Sequence, residues 1–362
     1  MTVADVVVVG AGVIGLAAAW HLAGDGIDVA VLDAGSLGGQ SSRAAAGILG
    51  PLAESRDDGP RTQLLWDSWL RFPAWVEALH EDSAIDPEFE PTGILRQVAA
   101  AEREDLEASL PWRRQYSPEV EWLDDTDPDW PFAIWSPHEG QIRGPAYLAA
   151  LAQAAAGRGV DLRLGEPARR IRVDRDRVVA VDTPRQSLAT STVVLAAGAW
   201  AGALLPHPEP LPVLPVRGQA LAIRAPRPPF PHVVFGPNGY LAPKRDGQVV
   251  VGATEDAEAG FDARVTLAGI AALADVVRSM SPELLPLPFA RVWAGLRPAT
   301  PDGRPLLGPW PGIGGLIIAA GHYRNGLLLS PITAEVVRQA VRGETPSVDL
   351  TPFRPDRFHP TR

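Results

Sequence analysis

Three glycines spaced Gly10-x-Gly12-x-x-Gly15 lie between the valine run Val6–Val9 and the Ala- and Leu-rich stretch Leu16–Leu22. Their chemistry is that of bare backbone. Gly10 permits a sharp turn, Gly12 lets a pyrophosphate approach the main chain, and Gly15 lets a helix sit close to a strand. The helix N-terminus adds free N–H groups and a partial positive charge for phosphates. Val13 and Ile14 complete that turn. Asp33 closes the next apolar run, 18 residues after Gly15. Its carboxylate suits ribose hydroxyls and repels a 2′-phosphate. The pattern specifies a dinucleotide without separating flavin from nicotinamide. Two other stretches favour FAD. Ser41–Gly47 is small-sided and hydroxylic, which suits a broad flat group, and Gly321–Leu328 is a second glycine loop leading to a helix. A helix end there would stabilise an anionic reduced flavin.

The elements that would hold these residues can be read from periodicity. Val6–Val9 reads as a buried parallel strand, Leu16–Leu22 as a helix stopped by Gly24-Asp25-Gly26, and Asp28–Asp33 as a second strand. Together they form a βαβ unit. Glu54 to about Glu81 has helical spacing, with Leu64, Leu65, Trp69 and Phe72 on one side. From about Asp86 to Gly140 the chain becomes Pro-, Trp- and acid-rich with short strands such as Gly93–Val98. Gly144–Gly157 reads as a helix, followed by strands at Asp161–Leu164, Arg177–Val181 and Thr192–Ala196. Ala220–Ile223, Gly239–Pro243 and Gln248–Gly252 read as an antiparallel sheet, with Lys244–Gly247 as a hairpin turn and Leu267–Ser279 as its helix. Leu316–Ala320 is a last buried strand, and Ser330-Pro331 reads as N-cap and first residue of a final helix reaching about Val341. The expected division is 1–85, 141–205 and 290–362 for the nucleotide domain, with 86–140 and 206–289 for the other.

Bulk properties narrow the partners. The chain has 362 residues, enough for about two domains at roughly 100–200 residues each. Its net charge of -10 disfavours nucleic acid. It has no cysteine, which excludes disulfides, zinc-thiolate sites, iron–sulfur clusters, a cysteine nucleophile and a thioether-linked flavin. The apolar run Val6–Ala23 has no basic flank and is punctuated by glycines, so a buried strand and helix are expected rather than a membrane span. A cytoplasmic protein without a metal site is expected.

Four longer stretches carry a resemblance: GAGVIGLAAAWHLA, GGQSSRAAAGILGP, VWAGLRPATPDGRPLLGP and AAGHYRNGLLLSPITAEVV. The chain resembles the D-amino-acid-oxidase-like FAD-dependent oxidoreductases over nearly its whole length, and among them the glycine oxidases of thiamine (thiazole) biosynthesis. The resemblance implies an α/β fold. A Rossmann-like FAD-binding domain, discontinuous in sequence, would be covered by an α+β substrate domain whose antiparallel sheet lies over the flavin. It also implies cofactor contacts. Val13, Ile14, Asp33, Ala34, Ser41 and Ser42 would line FAD, as would Ala46, Gly47 and Ile48. From the last loop, His322, Tyr323, Arg324, Asn325, Gly326, Leu327 and Leu328 would join them. No histidine lies in Ser41–Gly47, so FAD is expected to be non-covalent.

For the substrate, the resemblance implies that Arg297, in GLRP, pairs with a carboxylate. It makes Arg324 a second arginine of the site and Tyr240 a hydroxyl that helps hold the carboxylate. The implied reaction passes hydride from Cα of glycine, or of another small amino acid or amine, to flavin N5. An imine forms, and O2 reoxidises the flavin to give H2O2. No side chain acts as acid or base, because the cofactor does the redox chemistry. Sarcosine, D-proline or another D-amino acid, with an oxidase or a dehydrogenase, remain alternatives on the same scaffold. A non-catalytic flavin-binding protein and an NAD-dependent dehydrogenase are further ones. The family implies a homo-oligomer.

Overall fold

The central strands of the nucleotide-binding sheet are apolar on both faces, and the reason is visible in their packing. Val6 and Val8 enter one core with Val29, Val31, Val194 and Ile317. Val7 and Val9 enter the opposite core with Ala30, Leu32, Val193 and Ile318. A parallel sheet covered on both sides leaves no room for polar alternation. The computed structural model describes residues 2–124, 130–206 and 210–359.

This sheet has six strands in the order Leu306–Pro309, Leu316–Ala320, Thr192–Leu195, Val6–Val9, Val29–Asp33 and Asp161–Leu164. All pairings are parallel except that of Leu306–Pro309 with Leu316–Ala320. The central strands come from distant parts of the chain. The helices Val13–Gly24, Pro60–Ser83, Gly144–Gly157 and Gly326–Arg342 cover one face. The other faces a smaller four-stranded sheet, Thr2–Val3, Ser187–Ala189, Arg177–Asp182 and Arg170–Asp174.

A second sheet of eight strands runs Phe289–Ala299, Leu214–Arg224, Gln248–Gly252, Gly239–Pro243, Val233–Gly236, Ile94–Val98, Phe132–Ser136 and Glu121–Asp124. Its pairs are antiparallel except Val233–Gly236 with Ile94–Val98, where two separate chain segments join. Lys244–Gly247 makes the hairpin turn, with Gly247 at φ 74°. The helix Leu267–Met280 packs on this sheet, and its N-cap Thr266 side chain accepts from Gly269 N.

Three local expectations are corrected. The expected return to the nucleotide domain at residue 290 does not hold for Phe289–Ala299, which pairs along its length with Leu214–Arg224 in the eight-stranded sheet. The helix expected from Glu54 starts at Pro60, with Gly59 as N-cap, so Glu54 sits in a turn. The final helix starts at Gly326 with Asn325 as N-cap, and Pro331 lies inside it. A proline there leaves the Leu327 carbonyl without its amide partner. Ser330 Oγ supplies a donor to Leu327 O at 2.7 Å, which makes the interior proline tolerable.

Candidate active site

The glycine turn is as tight as its spacing demands. Gly10 has φ 115°, and a Cβ there would meet Ala196 O at 2.4 Å. A Cβ on Gly15 would meet Gly10 O at 1.9 Å, so the helix can approach its strand only through glycine. Gly12 is the N-cap of Val13–Gly24 and offers no side chain to it. Ser42 Oγ instead accepts from Val13 N at 3.0 Å, tying the small-residue stretch to the turn. Asp33 is anchored beside them. Its Oδ2 accepts from Ala11 N and its Oδ1 from Gly35 N, both at 2.8 Å.

These groups border a cleft of about 620 Å³. That lies within the roughly 300–1,000 Å³ of cofactor sites. Asp33 and Ala34, Gly12–Ile14, Ser41 and Ser42, the sheet end Ala196–Gly198 and the loop Gly321–Arg324 all line it. The lining fits FAD. A helix end free of side chains would meet the phosphates, and the fixed Asp33 carboxylate keeps lone pairs that would accept from ribose hydroxyls. Trp200 and Pro167 also line the cleft and carried no sequence signal.

The loop after Leu316–Ala320 divides its duties. His322, Tyr323, Arg324, Gly326 and Leu327 line the cleft. Asn325 and Leu328 do not: Asn325 Oδ1 accepts from Arg61 Nη2 at 2.5 Å, and Leu328 is buried in the helical core. His322 is also internal at its ring. Nε2 lies 3.0 Å from Thr333 Oγ1, and burial pulls the imidazole down to about 3, so it is neutral at physiological pH. The Tyr323 hydroxyl donates to Glu255, which lines neither cavity.

A smaller chamber of about 80 Å³ adjoins the cleft and shares Ser41, Ala45, Tyr323, Arg324 and Leu327 with it. Ala46, Gly47 and Ile48, expected along the cofactor, line this chamber. So do Arg297, Arg324 and Tyr240, the three residues expected to hold substrate. Arg297 Nη1 donates to Thr254 O at 3.0 Å, and no carboxylate among the described residues pairs with it. Burial pushes the Tyr240 phenol up, while Arg297 and Arg324 act against that shift. Its ring meets Phe235 edge-on at 5.8 Å. Glu54, which the sequence did not single out, is the one carboxylate lining the chamber and sits 3.4 Å from Arg324 Nε.

The strand Phe289–Ala299 forms the partition. Gly295 and Arg297 line the chamber, whereas Leu296 and Pro298 line the cleft. Successive side chains of a strand point to opposite faces, which accounts for the split. Gly295 also allows contact with the small-residue stretch, since a Cβ there would meet Ala44 Cβ at 2.5 Å. Trp293 Nε1 donates to Ala44 O at 2.9 Å and holds the two together.

A doubly covered, mostly parallel sheet with a nucleotide cleft, closed by a mostly antiparallel sheet that carries an arginine with no carboxylate partner among the described residues, defines a flavin-dependent oxidoreductase. The chain belongs to the family of FAD dependent oxidoreductases, which it matches over residues 5–340. It is 36% identical to the glycine oxidase of Geobacillus kaustophilus, across 96% of each chain. It is also 36% identical to the bifunctional protein ThiO/ThiG of Synechocystis sp., across 99% of this chain and 54% of that one. The chain thus spans about half the length of the bifunctional relative. The crystal structure of the Geobacillus kaustophilus glycine oxidase has a TM-score of 0.93 at 34% identity, covering 99% of both chains. Among the described residues no helix is long and apolar enough to cross a membrane.

Proposed function

We propose that this chain oxidises glycine or a similarly small α-amino acid to its imine, in a step linked to thiamine biosynthesis. The observation that carries this reading is Arg297, a guanidinium without a carboxylate partner facing an 80 Å³ chamber beside the cofactor cleft. The relatives named above support it.

FAD, held without a covalent bond, supplies the hydride acceptor. The Arg297 guanidinium takes the substrate carboxylate as a two-pronged ion pair. The Tyr240 hydroxyl lines the same chamber and, its phenol pushed up by burial, stays protonated and able to donate to that carboxylate. Phe235 and the backbone at Ala253 and Gly295 leave little room for a side chain. Fixing the carboxylate sets the direction of the Cα–H bond, and positioning of this kind lowers a barrier by several kcal/mol. No side chain removes a proton from Cα in this scheme, and neutral His322 takes no part. The same reading takes O2 as acceptor, a homo-oligomer as the working form and the cytoplasm as the compartment.

The test is anaerobic addition of glycine, sarcosine, D-alanine and D-proline to the purified yellow protein, followed by a peroxide assay in air. Rapid bleaching by glycine with peroxide release is expected. Bleaching only by D-proline, or none by any of the four, would replace the proposed substrate.

A further inference from the structure

The chamber contains two guanidinium groups and a single carboxylate, and they are not equivalent. Arg297 is open to a ligand. Arg324 is engaged by Glu54, whose charge is the main influence on its guanidinium and raises its basicity. Glu54 lies in a turn of the chain, yet its side chain is only 8% exposed.

The turn bearing Glu54 is gripped by three ionisable side chains, of which Glu139 and Arg113 are buried and burial pushes the Glu139 carboxyl up to about 8. Leu52 N and Ala53 N donate to the Glu139 carboxylate, the latter at 3.0 Å to Oε2. Arg113 donates through Nη1 to Leu52 O and through Nη2 to Ser55 O at 2.9 Å. Arg96 Nη1 adds a bond to Ala53 O at 3.0 Å. Glu139 is 1% exposed and Arg113 0%. Buried ionisable groups are a poor way to gain stability alone, because desolvation opposes their charged forms. Here they fix the main chain on both sides of one residue, and so fix where the Glu54 side chain points.

We propose that Glu54 restricts the chamber to substrates bearing one carboxylate, by occupying Arg324, and that the Glu139–Arg113 clamp holds it in that position. With Glu54 in place the side chains lining the chamber carry one net positive charge. A single substrate carboxylate on Arg297 satisfies it. A second carboxylate would meet a cation already paired and an anion beside it. The inference rests on the reading of Arg297 as the carboxylate anchor.

The test uses the FAD-loaded protein and two unreactive probes, acetate and malonate, with binding followed by the shift in the flavin absorbance bands. Wild-type protein should bind acetate, and Arg297→Ala should lose it. If Arg297→Ala binds acetate as well as wild type does, the anchor reading falls and this inference with it. With the anchor upheld, Glu54→Gln should raise the malonate-to-acetate affinity ratio by about tenfold or more, tenfold being about 1.4 kcal/mol. Glu54→Gln combined with Arg324→Met should lose that gain, because the freed cation is gone. Glu139→Gln, with Glu54 retained, should move the ratio the same way by a smaller factor. The clamp binds the main chain rather than the Glu54 side chain, so Glu54→Gln should fold, as its circular dichroism will show. An unchanged ratio in folded Glu54→Gln, or a gain that survives the loss of Arg324, overturns the inference while leaving the anchor reading intact.

Discussion

The guanidinium of Arg297 lies against the bare Cα of Gly218 on the neighbouring strand: a Cβ built there would meet Arg297 Cζ at 2.5 Å and both terminal nitrogens within 2.6 Å. The arginine therefore reaches its position only because the adjoining strand presents no side chain at that point. Gly218→Ala should fold, since the clash falls on the end of a flexible side chain. It should also push the guanidinium out of line. We expect KM for glycine to rise by about tenfold to a hundredfold, as for a lost charge-assisted hydrogen bond worth about 1.5–3 kcal/mol. Arg297→Ala should raise it at least as far, with the bound-flavin spectrum normal in both. Steady-state kinetics decide the matter, and an unchanged KM in both variants removes Arg297 from the substrate site.

Asp33 holds two backbone amides, those of Ala11 and Gly35, on its two oxygens. Asp33→Ala frees both and removes the ribose acceptor. Hydrogen bonds to a charged group contribute about 1.5–3 kcal/mol each. FAD affinity of the apoprotein should therefore fall by about tenfold or more. Flavin fluorescence titration measures this, and KM for glycine at saturating FAD should not change. Equal FAD affinity in the variant contradicts the assignment.

Burial holds the His322 imidazole near 3, far below its ordinary 6.5. In the unfolded chain it takes up a proton as pH falls through about 6.5, while in the fold it resists until about 3. The unfolded state thus binds more protons across that window, and stability is lost as pH falls through it. His322→Asn should lose less of its melting temperature between pH 7 and pH 4 than wild type does. Thermal denaturation at the two pH values checks it. Parallel losses in both proteins contradict the assignment.

Ser330 is fully buried and links three elements. Its hydroxyl donates to Leu327 O, and it lies 2.8 Å from Tyr147 OH, which in turn accepts from Trp75 Nε1 at 2.7 Å. Ser330→Ala strands the Leu327 carbonyl beside Pro331. A buried unsatisfied group costs about 1–3 kcal/mol. Chemical denaturation should show a loss of that size, and a loss below about 0.5 kcal/mol would mean that water replaces the hydroxyl.

What the sequence reveals depends on how local each cause is. Gly10, Gly12 and Gly15 are required by contacts among neighbours in the chain, and their spacing states the turn. The helix Gly144–Gly157 and the strands Asp161–Leu164 and Leu316–Ala320 fall where periodicity places them. The strand Phe289–Ala299 was harder, because its partner Leu214–Arg224 lies some seventy residues earlier and nothing local says which sheet it joins. The start of the last helix was hidden by Pro331, which reads as a first residue until Ser330 is seen satisfying Leu327 O. Once the helix begins at Gly326, its own periodicity turns Leu328 into the core and away from the cleft. Glu54 had no pattern around it. Its place depends on Glu139, Arg113 and Arg96, which approach from far along the chain.

Residues 295–298 of Phe289–Ala299 alternate between the two cavities. A change at Arg297 or Gly295 alters the chamber, and one at Leu296 or Pro298 alters the cleft. Changes on the chamber side can therefore tune what that cavity accepts, except at Gly295, where a side chain would press on Ala44 and the stretch that also borders the cleft. Insertion or loss of one residue would exchange the two sets at a stroke and disable both.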